Sequence, residues 1–301
     1  MTFNPDADIQ GGRVKRRGRT AAIGTGIGVG AGGIGVVVVL LLGQLLGVDL
    51  SGVVPATDGG TGGGVSGGSP GDTSLTECRT GAQANDDIDC RMQAAATSLD
   101  AYWDGVLGST YAQPQLIIFD GATRTGCGDA TSDVGPFYCP PDQTVYIDTS
   151  FYDELRSRFG ASGGPLAQLY VVAHEWGHHI QNMTGIMDGL DLQRSGPSSD
   201  SVRLELQADC FAGSWVQGAA QTTDKEGRPF LDPPTKAQVA DALDAASAVG
   251  DDHIQSTLGD GRVNPEGFTH GTSAQREKWF ETGYEQGPQA CTTFDVSARQ
   301  L

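Results

Sequence analysis

"VVAHEWGHHIQN", residues 171–182, holds three of the five histidines in a chain of 301 residues, and a glutamate sits between the first two. The stretch lies in an apolar segment with Pro165 at its start and Gly185 just past its end. Proline suits a first helical position and glycine suits the residue beyond a helix, so the spacing predicts a helix from Leu166 to about Met183.

On a helix, residues four apart share a face. His174 and His178 therefore point the same way, and their imidazoles can close on one tetrahedral zinc. Glu175 lies about 100° further round. It is placed to accept a proton from water held on the metal, whose pKa falls toward about 7 there. A third ligand is required, and two schemes are common. The extended scheme asks for glycine at 181 and histidine at 184, where this chain has Gln181 and Thr184. The other takes a glutamate from a later helix, and "SVRLELQADCFAG" (201–213) supplies Glu205 among Leu204, Leu206, Ala208 and Phe211. Asp209, one turn on, can accept the outer N–H of a ligand histidine and fix its tautomer. A buried glutamate beside an aspartate is costly without a cation between them. The expectation is one Zn²⁺ per chain on His174, His178 and Glu205, with a water in the fourth position. His179 points off the metal face and reads as a structural residue or a hydrogen-bonding support for a ligand.

A metal-activated attack on a peptide carbonyl needs a donor for the developing oxyanion. His270 in "GFTHGTSAQR", Arg276 after it, and His253 are the candidates. The strand "TVYID" (144–148) is a plausible edge for an extended peptide, and Tyr146 in it reads as a packing residue.

Four blocks in this order, "HEWGHHIQN", "RLELQADCFAG", "GPFYCPPD.TVYID" and "FTHGTSAQR", resemble the bacterial neutral zinc metallopeptidase family, a membrane-anchored group. The resemblance covers about residues 75–290. It implies a gluzincin-like fold, with a small sheet over the helix that bears the two histidines. It also implies ligand roles for His174, His178 and Glu205 and the catalytic role for Glu175.

The chain carries 19 Lys/Arg and 37 Asp/Glu; five and three of these fall in residues 1–50, which leaves 14 and 34, net −20, in the remainder. So acidic a body repels phosphate backbones, which argues against nucleic acid as a partner. "GRVKRRGR" (12–19) clusters five positive charges, and residues 20–48 carry none. Roughly 20 helical residues cross a bilayer core, so this uncharged run is long enough. Basic sequence before it and acidic sequence after it predict a single-pass protein of the cell membrane. Residues 1–19 then form a cytoplasmic tail, 20–48 the transmembrane helix, 49–74 a Gly/Ser/Thr/Pro linker, and 75–301 an extracytoplasmic domain. A cleaved signal peptide is the rival reading.

All six cysteines fall in that domain, and an even number in an oxidising compartment predicts disulfides. Spacing suggests Cys78 with Cys90 and Cys127 with Cys139, leaving Cys210 for Cys291. Helices are expected at 82–106, 150–159 with Ser150 as cap, 201–220, 233–252 and 272–287, and strands at 115–119 and 143–148. The fold class is α+β: a mostly helical, zincin-like metalloprotease domain with a small sheet, preceded by one transmembrane helix. The leading functional expectation is a membrane-anchored zinc endopeptidase acting on peptides or proteins. A non-catalytic cell-surface module with a structural zinc is the main alternative, and a cell-wall hydrolase a third.

Overall fold

The computed structural model describes residues 1–11, 13–18, 71–259 and 261–301. The fold is mixed α+β. Its larger sheet has the order β2-β1-β3-β7-β6, from Thr73–Ser74 (β2), Val14–Arg16 (β1), Gln115–Ile118 (β3), Thr144–Ile147 (β7) and Phe137–Cys139 (β6). Strands β1, β3 and β7 run parallel, while β2 and β6 are antiparallel edges. A separate hairpin joins Ala122–Thr125 (β4) to Gly128–Thr131 (β5). "TVYI" is thus an interior strand, hydrogen-bonded on both sides, and the edge expected there belongs to β6 instead. Leu116, Val145 and Ile147 in β3 and β7 are buried, as strands covered on both faces require.

The helices are α1 (Gly81–Asp86), α2 (Ile88–Leu107), α3 (Phe151–Ser157), α4 (Pro165–Met183), α5 (Asp200–Gly218), α6 (Lys236–Ala248), α7 (Asp251–Leu258) and α8 (Ser273–Gln286). Two spans expected as single helices are broken. Asp87 adopts extended backbone and its side chain accepts from Cys90 N, which starts α2 anew. Gly250 is likewise extended and separates α6 from α7. Helices α4, α5 and α8 form the central layer. At Gly177 a Cβ would lie 2.9 Å from Ala208 Cα, so glycine lets α4 and α5 approach at the level of the histidines. At Gly283 a Cβ would overlap the Cys210 carbonyl, and the Cys210–Cys291 disulfide ties the segment that follows α8 to α5 at the same residue. Cys78–Cys90 and Cys127–Cys139 form the other two bridges.

Of residues 1–19, expected as a separate basic tail, the described residues 1–11 and 13–18 pack into this domain. Met1, Phe3, Ala7, Ile9 and Val14 are buried in the main core, and burial of these side chains holds the arm in place. Backbone bonds add to it: Asn4 N donates to Phe230 O (3.0 Å) and Ile9 N to Arg79 O (3.1 Å). Arg16 pairs with Asp89 and Asp120, and Arg17 Nε lies 2.7 Å from Asp72 Oδ1. Lys15 and Arg16 in β1 lie beside Ser74 and Thr73 in the edge strand β2. The expected transmembrane helix at 20–48 and most of the linker lie outside the described residues. Among the described residues no helix is long and apolar enough to cross a membrane.

Candidate metal centre

Helix α4 is buried on nearly every side from Leu166 to Gln181, which fixes the rotamers of the polar residues it carries. His174 Nε2 lies 3.1 Å from Glu205 Oε2, and His178 Nε2 lies 3.4 Å from Glu205 Oε1. The two imidazoles cross at 88° with ring centroids 4.8 Å apart. The donor atoms of His174, His178 and Glu205 all lie within 4.8 Å of one another. Zn–N bonds of about 2.0–2.1 Å in a tetrahedron separate ligand atoms by about 3.4 Å, so the observed spacing fits zinc. Glu205, on the adjacent helix α5, thus lies against both imidazoles of α4.

The outer nitrogens are also engaged. His174 Nδ1 donates to Asp209 Oδ1 at 2.8 Å, the partner expected from sequence. His178 Nδ1 donates to Gln181 Oε1 at 2.8 Å, and Gln181 Nε2 in turn donates to Leu204 O and Gln207 Oε1. Gln181 was not expected, although it stands three residues beyond His178 and hence on the same helix face. Asp209 is fully buried and takes Arg276 Nε at 2.8 Å, Arg276 Nη2 at 2.9 Å and the Tyr170 hydroxyl. Arg276, considered as an oxyanion donor, is thus committed to neutralising Asp209.

The charges follow from burial and neighbours. Burial opposes ionisation of Glu205, but His178 and His174 hold its carboxyl well below the usual range. Burial also opposes a charged His174, yet Asp209 and Glu205 raise it to about 10. A divalent cation held by the Nε2 atoms would stabilise the carboxylates in place of that proton. Glu175 behaves differently. Burial pushes its carboxyl above the ordinary range, partly offset by His178 and His174, and Glu205 adds repulsion. A backbone hydrogen bond from Tyr138, on edge strand β6, reaches the same carboxylate.

His270 lines the same pocket as Glu175 and the candidate metal-binding residues His174, His178 and Glu205. Its Nδ1 lies 3.2 Å from Asp251 Oδ1, while Asp251 Oδ2 accepts the backbone N–H groups of Thr269, His270 and Gly271 at 2.7, 2.7 and 2.9 Å. Asp251 thereby fixes both the loop and the ring, and raises the His270 pKa against the effect of burial. Nothing in the sequence marks Asp251, which opens α7, whereas His270 lies in the loop before α8. His253 falls elsewhere: its Nε2 donates to Phe159 O at 3.0 Å. His179 is a packing residue, bonded to the Tyr138 hydroxyl and Ala112 O, and burial drops its pKa to about 4.

The family described as "Putative neutral zinc metallopeptidase" matches residues 6–294. Uncharacterized proteins of Mycobacterium bovis and Mycobacterium tuberculosis are 48% identical over 225 residues, 74% of this chain and 76% of theirs. The uncharacterized protein YpfJ of Escherichia coli is 48% identical over 202 residues, 64% of this chain and 65% of its own. No solved structure matches the chain.

Proposed function

The chain belongs to the neutral zinc metallopeptidase family, and from that premise we propose that it is a zinc-dependent peptidase of gluzincin type. His174, His178 and Glu205 hold the metal, Glu175 is the general base and His270 the oxyanion donor. One observation carries this reading: three buried donors converge in a pocket that also contains a buried glutamate and an aspartate-held histidine. Among the described residues the cluster contains only three donors, which favours an open fourth position over the closed set of a structural zinc.

Zinc held there supplies Lewis acidity, which makes water a nucleophile at neutral pH and polarises a carbonyl. Glu175 receives the proton that water loses on attack. Its raised pKa makes it a stronger base than a solvated glutamate and lets it return the proton to the leaving amine. The Tyr138 N–H steadies the carboxylate meanwhile. Protonated His270 donates from its second nitrogen to the developing oxyanion, and the Asp251 carboxylate stabilises that charged ring. The outer side of β6 accepts an extended chain by strand addition, which brings a peptide backbone alongside Glu175.

The three disulfides support an oxidising, extracytoplasmic compartment. Membrane attachment through residues 20–48 rests on the sequence alone; with the arm docked, it must leave residues 1–18 and 71–301 on one side.

The test is Glu175→Gln, assayed for zinc per chain and for cleavage of an unstructured protein such as casein. The expected result is equal zinc in both forms, chelator-sensitive cleavage by the native protein, and a loss of at least about 100-fold in the variant. A zinc-loaded native protein that cleaves nothing, with a fourth protein ligand seen by X-ray absorption, supports the structural-zinc alternative instead.

A further inference from the structure

We propose that Gln181 is a positioning residue for the candidate metal centre, and that a buried chain of side-chain amides ties its action to the segment that follows α8. This rests on the zinc reading above and concerns how that site is held. His178 Nδ1 lies 2.8 Å from Gln181 Oε1. Gln181 Nε2 donates to Leu204 O at 2.7 Å and to Gln207 Oε1 at 3.1 Å. Gln207 Nε2 donates to Cys291 O at 2.8 Å. His178, Gln181, Gln207 and Cys291 are all buried, so these bonds form away from solvent, where an unmet partner is costly.

Two backbone carbonyls decide where the protons sit. A carbonyl oxygen can only accept, so Leu204 O fixes which end of the Gln181 amide is the donor, and Cys291 O does the same for Gln207. Gln181 must then turn its oxygen to His178, and Nδ1 must carry a hydrogen. That reserves Nε2, the atom facing Glu205, for a metal. Every bond in the chain donates in one sense, from the imidazole toward Cys291, so each polarises the next. The far acceptor is itself fixed: Cys291 is bridged to Cys210, which lies on α5 within one turn of Gln207. His174 is held by a carboxylate that Arg276 balances, whereas His178 is held by neutral amides. The chain therefore adds no negative charge beside Glu205 and Glu175. Its anchor lies in the C-terminal segment, so a shift of that segment loosens His178.

The test uses the full-length protein and zinc itself. Gln181→Met keeps the length of the side chain and removes the acceptor. It should weaken zinc binding by about 10–100-fold in competition with a chelator. Gln207→Met leaves Gln181 its bond to Leu204 O and should weaken binding by only about three- to tenfold. Because Gln207 acts through Gln181, the double variant should bind zinc no more weakly than Gln181→Met alone. In NMR spectra of the zinc-loaded native protein, the His178 Nδ1 proton should exchange with solvent at least about tenfold more slowly than in Gln181→Met, with Gln207→Met between them. Gln181 serving only the packing of α4 would leave that proton unmoved. Native zinc affinity in Gln181→Met, or an unmoved Nδ1 proton, overturns the positioning role. Additive losses in the double variant overturn the chain to Cys291. Should Gln181→Met fail to fold, Gln207→Met carries both readouts, and native values in it overturn the proposal. Neither readout involves cleavage. A native protein that binds zinc in this way and cuts no peptide overturns the peptidase reading alone, and one that takes up no zinc overturns both.

Discussion

The Asp209 carboxylate lies 2.8 Å from His174 Nδ1 and, through its other oxygen, 2.8 Å from Arg276 Nε. One buried aspartate thus orients an imidazole of the candidate metal set and is itself neutralised by a buried guanidinium. Both links matter. The first sets the tautomer that turns Nε2 toward Glu205. The second makes the buried negative charge tolerable.

Asp209→Asn should accordingly weaken zinc binding by about 10–100-fold, the usual cost of removing such a partner. It should also lower stability by several kcal/mol, roughly 3–5, because Arg276 is left without its counter-charge. Competition with a chelator and urea unfolding measure the two effects. Unchanged zinc affinity would mean that Asp209 serves only packing.

His270→Ala should leave zinc content unchanged and reduce kcat by about 10²–10³, the range for removing one oxyanion donor. Asp251 raises the His270 pKa, so the donor stays charged to higher pH than a free imidazole would. The alkaline limb of the kcat profile should therefore move to lower pH in Asp251→Asn. A limb that does not move would exclude the dyad from the reaction.

A second carboxylate gives a pH signature in stability. Asp100 is buried, and its carboxyl is pushed up from 3.8 to about 7 by burial, against the hydrogen bond from Tyr111 and the charge of Arg13. Its folded pKa is raised, so its contribution to stability is greatest while it is protonated. That contribution is fully present below the unfolded value and is lost as pH rises toward 7. Asp100→Asn keeps an acceptor for the Tyr111 hydroxyl and does not ionise. Its stability relative to the native chain should grow between pH 5 and 8 by on the order of 3 kcal/mol. Urea unfolding at the two pH values checks this, and a difference independent of pH would contradict it.

The docked arm makes a topological prediction. Gln10 and Glu285 are both exposed. Gln10→Cys and Glu285→Cys should react equally with an impermeant maleimide in intact cells, because β1 and the body share a side. Labelling of one and protection of the other would require the arm to undock in the membrane-bound protein.

Much of the centre was legible because its signals are local. Pro165 begins α4, Gly185 follows its end with φ +73, and the His174/His178 spacing is a single helical turn. The apolar setting of Glu205 marked a buried carboxylate that needs a cation. The rest depends on contacts that no window reveals. "VKR" carries too much charge and too few residues to read as a strand, yet Val14 pairs with Leu116, a hundred positions on. Asp87 and Gly250 break helices whose apolar periodicity runs through them. The β4–β5 hairpin is short and largely polar. Asp251 finds His270 only after α7 packs back toward the start of α8.

The most direct test of the account is anomalous scattering at the zinc edge from crystals of the full chain grown with zinc. The account predicts one strong peak about 2.0–2.2 Å from His174 Nε2, His178 Nε2 and a Glu205 carboxylate oxygen, with no fourth protein ligand. A peak away from these three residues, or one closed by a fourth side chain, would contradict it.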